Sequence, residues 1–151
     1  VETYRNKPTT VDEFEKMAGQ VYGQDLSWFF AQWIERTVFA HWTLDVSLAP
    51  AGGAKADPPG AAAEGGATQV TLHISQPDDL VRMPADITLY GPDGARKVLP
   101  NVMLNEKDQT VTTSTPFKPT RVIIDEDYWV LHHPGADNQW PPPAATATTA
   151  P

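Results

Sequence analysis

The chain has 151 residues, with Lys+Arg 11 against Asp+Glu 19, a net charge of −8 and no cysteine. That balance disfavours nucleic-acid binding, which needs clustered cations to neutralise phosphates, and the missing thiols exclude disulfides and thiolate metal sites. No apolar run is long enough to span a bilayer and no basic n-region of a signal peptide is visible, so no membrane association is expected. The chain opens Val1-Glu2-Thr3-Tyr4 without an initiator methionine and is expected to be a piece of a longer polypeptide.

Thr10-Val11-Asp12-Glu13 reads as a capping box, in which the Thr10 hydroxyl accepts the Glu13 backbone N–H and the Glu13 carboxylate reaches back to the N–H of Thr10. Val11, Phe14, Met17 and Val21 follow at helical spacing, and Gly23 is placed to end the helix. The next stretch, Asp25 to Ile34, packs Trp28, Phe29, Phe30 and Trp33 together with Leu26 and Ile34. Leu26, Phe29, Phe30 and Trp33 form an apolar stripe, and Asp25 sits where it can cap the first turn. Residues 10–36 therefore predict a helical hairpin with a very short connection. Two short helices cannot bury that many large apolar groups by themselves, so another surface must cover them. Either the following domain does so or a further helical domain upstream does.

After Arg36 the period changes to two. Trp42, Leu44 and Val46 alternate with polar residues, which predicts a half-buried strand. Residues 49–67 are rich in Ala, Gly and Pro and have no periodicity, so a flexible loop is expected. Further strands are expected around Val70–Ile74 and Ala85–Tyr90. Gly91-Pro92-Asp93-Gly94 is a turn, since Pro pre-sets φ and Asp-Gly tolerates positive φ. Arg96–Leu99 returns antiparallel, and Val102–Leu104 is a weaker apolar patch. Gln109–Thr115 and Arg121–Asp125 are β-prone, and Tyr128–Leu131 is the last short strand. Short strands with turn chemistry between them predict a mainly β fold, an immunoglobulin-like antiparallel β-sandwich preceded by the helical hairpin. The expected organisation is a hairpin at 1–38, a sandwich at 39–133 and a disordered Pro/Ala/Thr tail at 134–151.

Candidate chemistry is sparse. His41, His73, His132 and His133 contain no His-Glu-x-x-His pair. His132 and His133 are adjacent on an expected exposed strand end near Asp125, Glu126 and Asp127, where neighbouring side chains point to opposite faces and do not easily share an ion. Asp12, Glu13 and Glu15 read as a first helical turn, and Asp125, Glu126 and Asp127 as a turn between strands. Ser27 and Ser75 lack a nucleophile elbow. The glycines of 52–66 lack the Gly-Lys-Ser/Thr of a phosphate loop. No catalytic residue, metal ligand or cofactor site is assigned to this chain. The residues singled out are the packing stripe Leu26, Phe29, Phe30 and Trp33.

The order of a capped helix, Gly23-x-Asp25-Leu26, an aromatic helix with Phe29-Phe30-x-Gln32-Trp33 and then a β-sandwich resembles the end of the aminopeptidase N-type zinc metallopeptidases, or gluzincins. Phe14 and Ile34 match as well. So do Val70-Thr71-Leu72-x-Ile74-x-Gln76, Met83-Pro84, Ile87-Thr88-Leu89 and Arg121-Val122-Ile123-Ile124-Asp125 in the strands. The resemblance spans about residues 3–131. Two features depart from the family pattern: Thr37–Trp42 stands where Gly-x-Pro is usual, and 49–67 looks like an insertion. The resemblance implies a parent that removes N-terminal residues with zinc. The zinc ligands, catalytic glutamate and transition-state tyrosine of that family lie upstream, and neither Tyr4 nor Tyr22 matches them. The implied role of this chain is non-catalytic, bracing an upstream catalytic domain. The alternatives are a β-sandwich module that binds a protein or glycan, or the scaffold of a family member that has lost zinc.

Overall fold

The computed structural model of the chain describes residues 8–51, 67–133 and 138–142, and its contacts cluster into two units, Val1–Val38 and Phe39–Pro151. The first unit holds helix α1 (Val11–Tyr22) and helix α2 (Ser27–Trp33). Helix α1 begins as its sequence demands. Glu13 N–H donates to Thr10 Oγ1 at 3.2 Å and Thr10 N–H donates to Glu13 Oε2 at 3.1 Å. It ends at Gly23, whose φ of 79° is open to glycine without strain and whose N–H reaches the Gly19 carbonyl at 2.8 Å. Asp25 then accepts both the backbone N–H of Ser27 at 3.0 Å and its hydroxyl at 2.7 Å, which fixes the entry to α2.

The second unit is built from two antiparallel sheets. Strands β1 (Thr43–Pro50), β2 (Thr68–Ser75) and β5 (Asp108–Thr115) form one in the order β1-β2-β5. Strands β3 (Met83–Tyr90), β4 (Arg96–Leu104), β6 (Arg121–Ile124) and β7 (Gln139–Trp140) form the other in the order β4-β3-β6-β7. Val70, Leu72 and Ile74 of β2, Ala85, Ile87 and Leu89 of β3, and Val122 and Ile124 of β6 are buried and make the core. The period-two pattern is clearest in β2, whereas in the second sheet Thr88 and Ile123, paired on the opposite face, are buried as well. In a constant-type immunoglobulin domain the fourth strand joins the sheet of the first two. Here β4 stays beside β3, held by the tight turn at Pro92–Gly94 in which Asp93 and Gly94 both take positive φ.

Four sequence expectations change. Arg96–Leu99 and Val102–Leu104 are one strand, β4, interrupted by a bulge between the pairs Ala85↔Val102 and Ile87↔Leu99. Pro100 has no N–H to give the ladder, and the Asn101 N–H turns instead to Asp86 Oδ1 at 2.8 Å. Tyr128–Leu131 is not a strand: it is a loop shaped by Asp125, described below. The stretch expected to be a tail from 134 onward contributes β7, with Gln139 opposite Ile123 and Trp140 opposite Val122. Of the expected loop at 49–67, Ala49 and Pro50 belong to β1 and the Ala51 N–H bonds the Ala67 carbonyl at 2.7 Å. Residues 52–66, 134–137 and 143–151 lie outside the described residues.

Candidate functional site

The helical unit places its expected packing residues unevenly. Phe30 is 4% exposed, Leu26 and Trp33 are half-buried, and Phe29 is 41% exposed, so Phe29 does not join the buried stripe. A chain of edge-on rings runs from Phe14 to Phe30 (5.7 Å), Phe30 to Phe29 (5.8 Å) and Phe29 to Trp28 (5.9 Å). Helix α1 buries none of its residues, and Val21 is 84% exposed. Val11, Phe14, Val21 and Tyr22 leave α1 with an amphipathic face in water. Both caps are electrostatically settled. The Glu13 carboxyl is held below its ordinary value, first by the Thr10 backbone N–H and then by the Thr9 hydroxyl. That of Asp25 is held down by the hydroxyl and then the backbone N–H of Ser27.

In the sheet unit, Asp125 is buried, not part of a solvated turn. Its φ of 52° turns the chain, and its carboxylate accepts the Trp129 N–H on Oδ1 at 3.0 Å and the Val130 N–H on Oδ2 at 2.9 Å. These are the donors a strand at 128–131 would have needed for a ladder. His132 is also buried, which corrects its reading as an exposed strand end. Its Nδ1 lies 2.9 Å from the His133 carbonyl, and because a carbonyl only accepts, Nδ1 carries the hydrogen. Its Nε2 then stands 3.8 Å from Asp125 Oδ2, within ion-pair distance but beyond hydrogen-bond length. Trp42 lies 5.2 Å from the His132 ring on a tilt, and Tyr128 stacks on it at 4.8 Å. This buried frame presents Tyr128 and Trp129 outward, 68% and 81% exposed.

A second polar group lies nearby. His41 Nδ1 is 2.7 Å from Asp78 Oδ2, and the His41 and His133 rings are 5.4 Å apart. The Asp78 carboxyl is held below its ordinary value, chiefly by the hydrogen bond from His41 and to a smaller extent by the positive charges of His41, His133 and Lys107. Among the described residues no three His, Cys, Asp or Glu side chains gather as a metal-binding group, and no helix is long and apolar enough to cross a membrane. Sequence reasoning placed Asp125 in a turn and Tyr128 and Trp129 in a strand without giving them a role, and did not find the His41–His133 pair. The apolar content of 128–131 was a usable signal, but the pairing of distant histidines was not. Comparison with protein-family models, with curated proteins and with solved structures gave no match.

Proposed function

We propose that this chain is the non-catalytic C-terminal region of a zinc-dependent, aminopeptidase-like metallopeptidase, bracing an upstream catalytic domain. The observation that carries this reading is the apolar face of α1. A capped and properly terminated helix that buries none of its residues is built to be covered by something else. The motif order supports it: Thr10/Glu13 box, left-handed Gly23, Asp25 turned onto Ser27 at the start of the aromatic helix, then the sheets. Zinc and the chemistry belong to the upstream domain, and this chain contributes packing. The test is to express the chain joined to any coding region found to precede Val1 and to measure its metal content. About one zinc per polypeptide, lost when a His-Glu-x-x-His pair upstream is changed to alanine, is expected. A preceding region without that motif and without zinc overturns the reading.

A second reading, a binding module for a protein or glycan, is favoured by the outward Tyr128 and Trp129, because rings held by a rigid frame bind at small entropic cost. A retained partner whose capture is lost in Trp129→Ala but kept in Val21→Ser would favour this reading over the first.

A further inference from the structure

The isolated parallel bridge between Ala40 and His132 sets up a juxtaposition that neither segment shows alone. Its hydrogen bonds run from the Ala40 N–H to the Leu131 carbonyl and from the His133 N–H to the Ala40 carbonyl. Ala40 and His132 are buried. In extended chain the neighbours of an inward residue point outward, so Phe39 and His41 on one segment share the outer side with Leu131 and His133 on the other. The ring contacts agree: Phe39 meets His133 edge-on at 6.2 Å, and His41 and His133 are tilted by 43° at 5.4 Å.

We propose that His41 and His133 form a two-imidazole site for a late first-row divalent metal ion such as Zn²⁺ or Ni²⁺, with Asp78 as the carboxylate that orients His41 and water completing the coordination. Imidazole nitrogen suits these ions. Two nitrogens on one tetrahedral ion stand about 3.3 Å apart, given metal–nitrogen bonds of about 2.0–2.1 Å. The 5.4 Å separation of the ring centroids is compatible with one nitrogen of each imidazole reaching a shared ion. Asp78 accepts from Nδ1 of His41, the arrangement by which an outer carboxylate fixes a ligating histidine's tautomer and turns Nε2 toward a metal. A metal ion at Nε2 takes the place of any hydrogen bond that nitrogen accepts. The site is independent of the parent's zinc, because both ligands belong to this chain. It also leaves standing the expectation that His132 and His133 share no ion, since His132 faces the core.

The test uses the 151-residue chain in a non-coordinating buffer. Ni²⁺ added below one equivalent should broaden the ring signals of His41 and His133 first, leaving those of His73 sharp. By calorimetry, His41→Gln and His133→Gln should each weaken Zn²⁺ binding tenfold or more, and His73→Gln should not. Asp78→Asn should weaken it by about tenfold, in line with other outer-shell partners. His133 is exposed, so its variant keeps the fold and carries the test if His41→Gln does not. Zn²⁺ binding unchanged in His133→Gln, or broadening centred on His73, overturns the proposal.

Discussion

The imidazole of His132 stands 3.8 Å from the carboxylate of Asp125, with both side chains 2% exposed. Beside that pair the chain leaves strand geometry, with positive φ at both Asp125 and Tyr128. Asp125→Ala would strip the Trp129 and Val130 N–H groups of their acceptor in a part-buried setting. Losing such partners typically costs about 1–3 kcal/mol each, so a loss of roughly 2–6 kcal/mol is expected in urea unfolding of the sheet unit. Asp125→Asn keeps one acceptor oxygen and should lose less. Equal stability in wild type and Asp125→Ala would mean that the loop does not depend on this carboxylate.

The aromatic helix should respond residue by residue. Phe30→Ala removes a buried ring and should cost about 3–5 kcal/mol, whereas Phe29→Ala, at an exposed ring, should cost under about 1 kcal/mol. Helical circular dichroism during urea unfolding reads both. The reverse order would show that Phe29, not Phe30, is the packed ring.

The capping box gives a pH prediction with a definite sign. The folded-state pKa of Glu13 is depressed below its ordinary 4.5, so its contribution to α1 is present above that value and is lost as pH falls through the lower folded one. A carboxyl titration by nuclear magnetic resonance should place the Glu13 midpoint below 4.5. Because the Thr10 N–H is the main cause, Thr10→Pro, which removes that donor, should move the midpoint upward, and Thr9→Ala should move it less.

Gly91 is required for a spatial reason. A Cβ at this position would overlap the ring of Phe117, which lies against the turn leaving β3. Gly91→Ala should therefore destabilise the sheet unit by roughly 1–3 kcal/mol, as overpacking does. Phe117→Ala in the same chain should recover part of that loss in a double-mutant cycle. Simple additivity of the two variants would contradict the steric account.

What the sequence revealed and what it hid divide along range of interaction. The Thr10–Glu13 box and the Gly23 terminator were legible because each is closed within a few residues; Asp25, expected as a cap, bonds Ser27 while Leu26 takes the N-cap position without a side-chain bond. The strand through Val70–Ile74 was legible because burial of one face writes itself as alternation, and that through Arg121–Ile124 because Val122, Ile123 and Ile124 form a short β-branched run, all of it buried. β7 was hidden: Gln139-Trp140 is two residues long in a proline-rich run, and only its partners Val122 and Ile123 make it a strand. Tyr128–Leu131 was misread because β-prone side chains outweighed a carboxylate that took the backbone donors. The His41–His133 pairing had no local trace, since a bridge between segments far apart in sequence creates it.

The measurement that bears most directly on the proposed role is hydrolysis of leucine p-nitroanilide with added zinc. It should be carried out on the 151-residue chain and on the same chain extended through any coding region found to precede it. The account predicts no zinc-dependent turnover by the 151-residue chain and chelator-sensitive turnover by the extended protein. Turnover by the 151-residue chain itself, or none by the extended one, contradicts it.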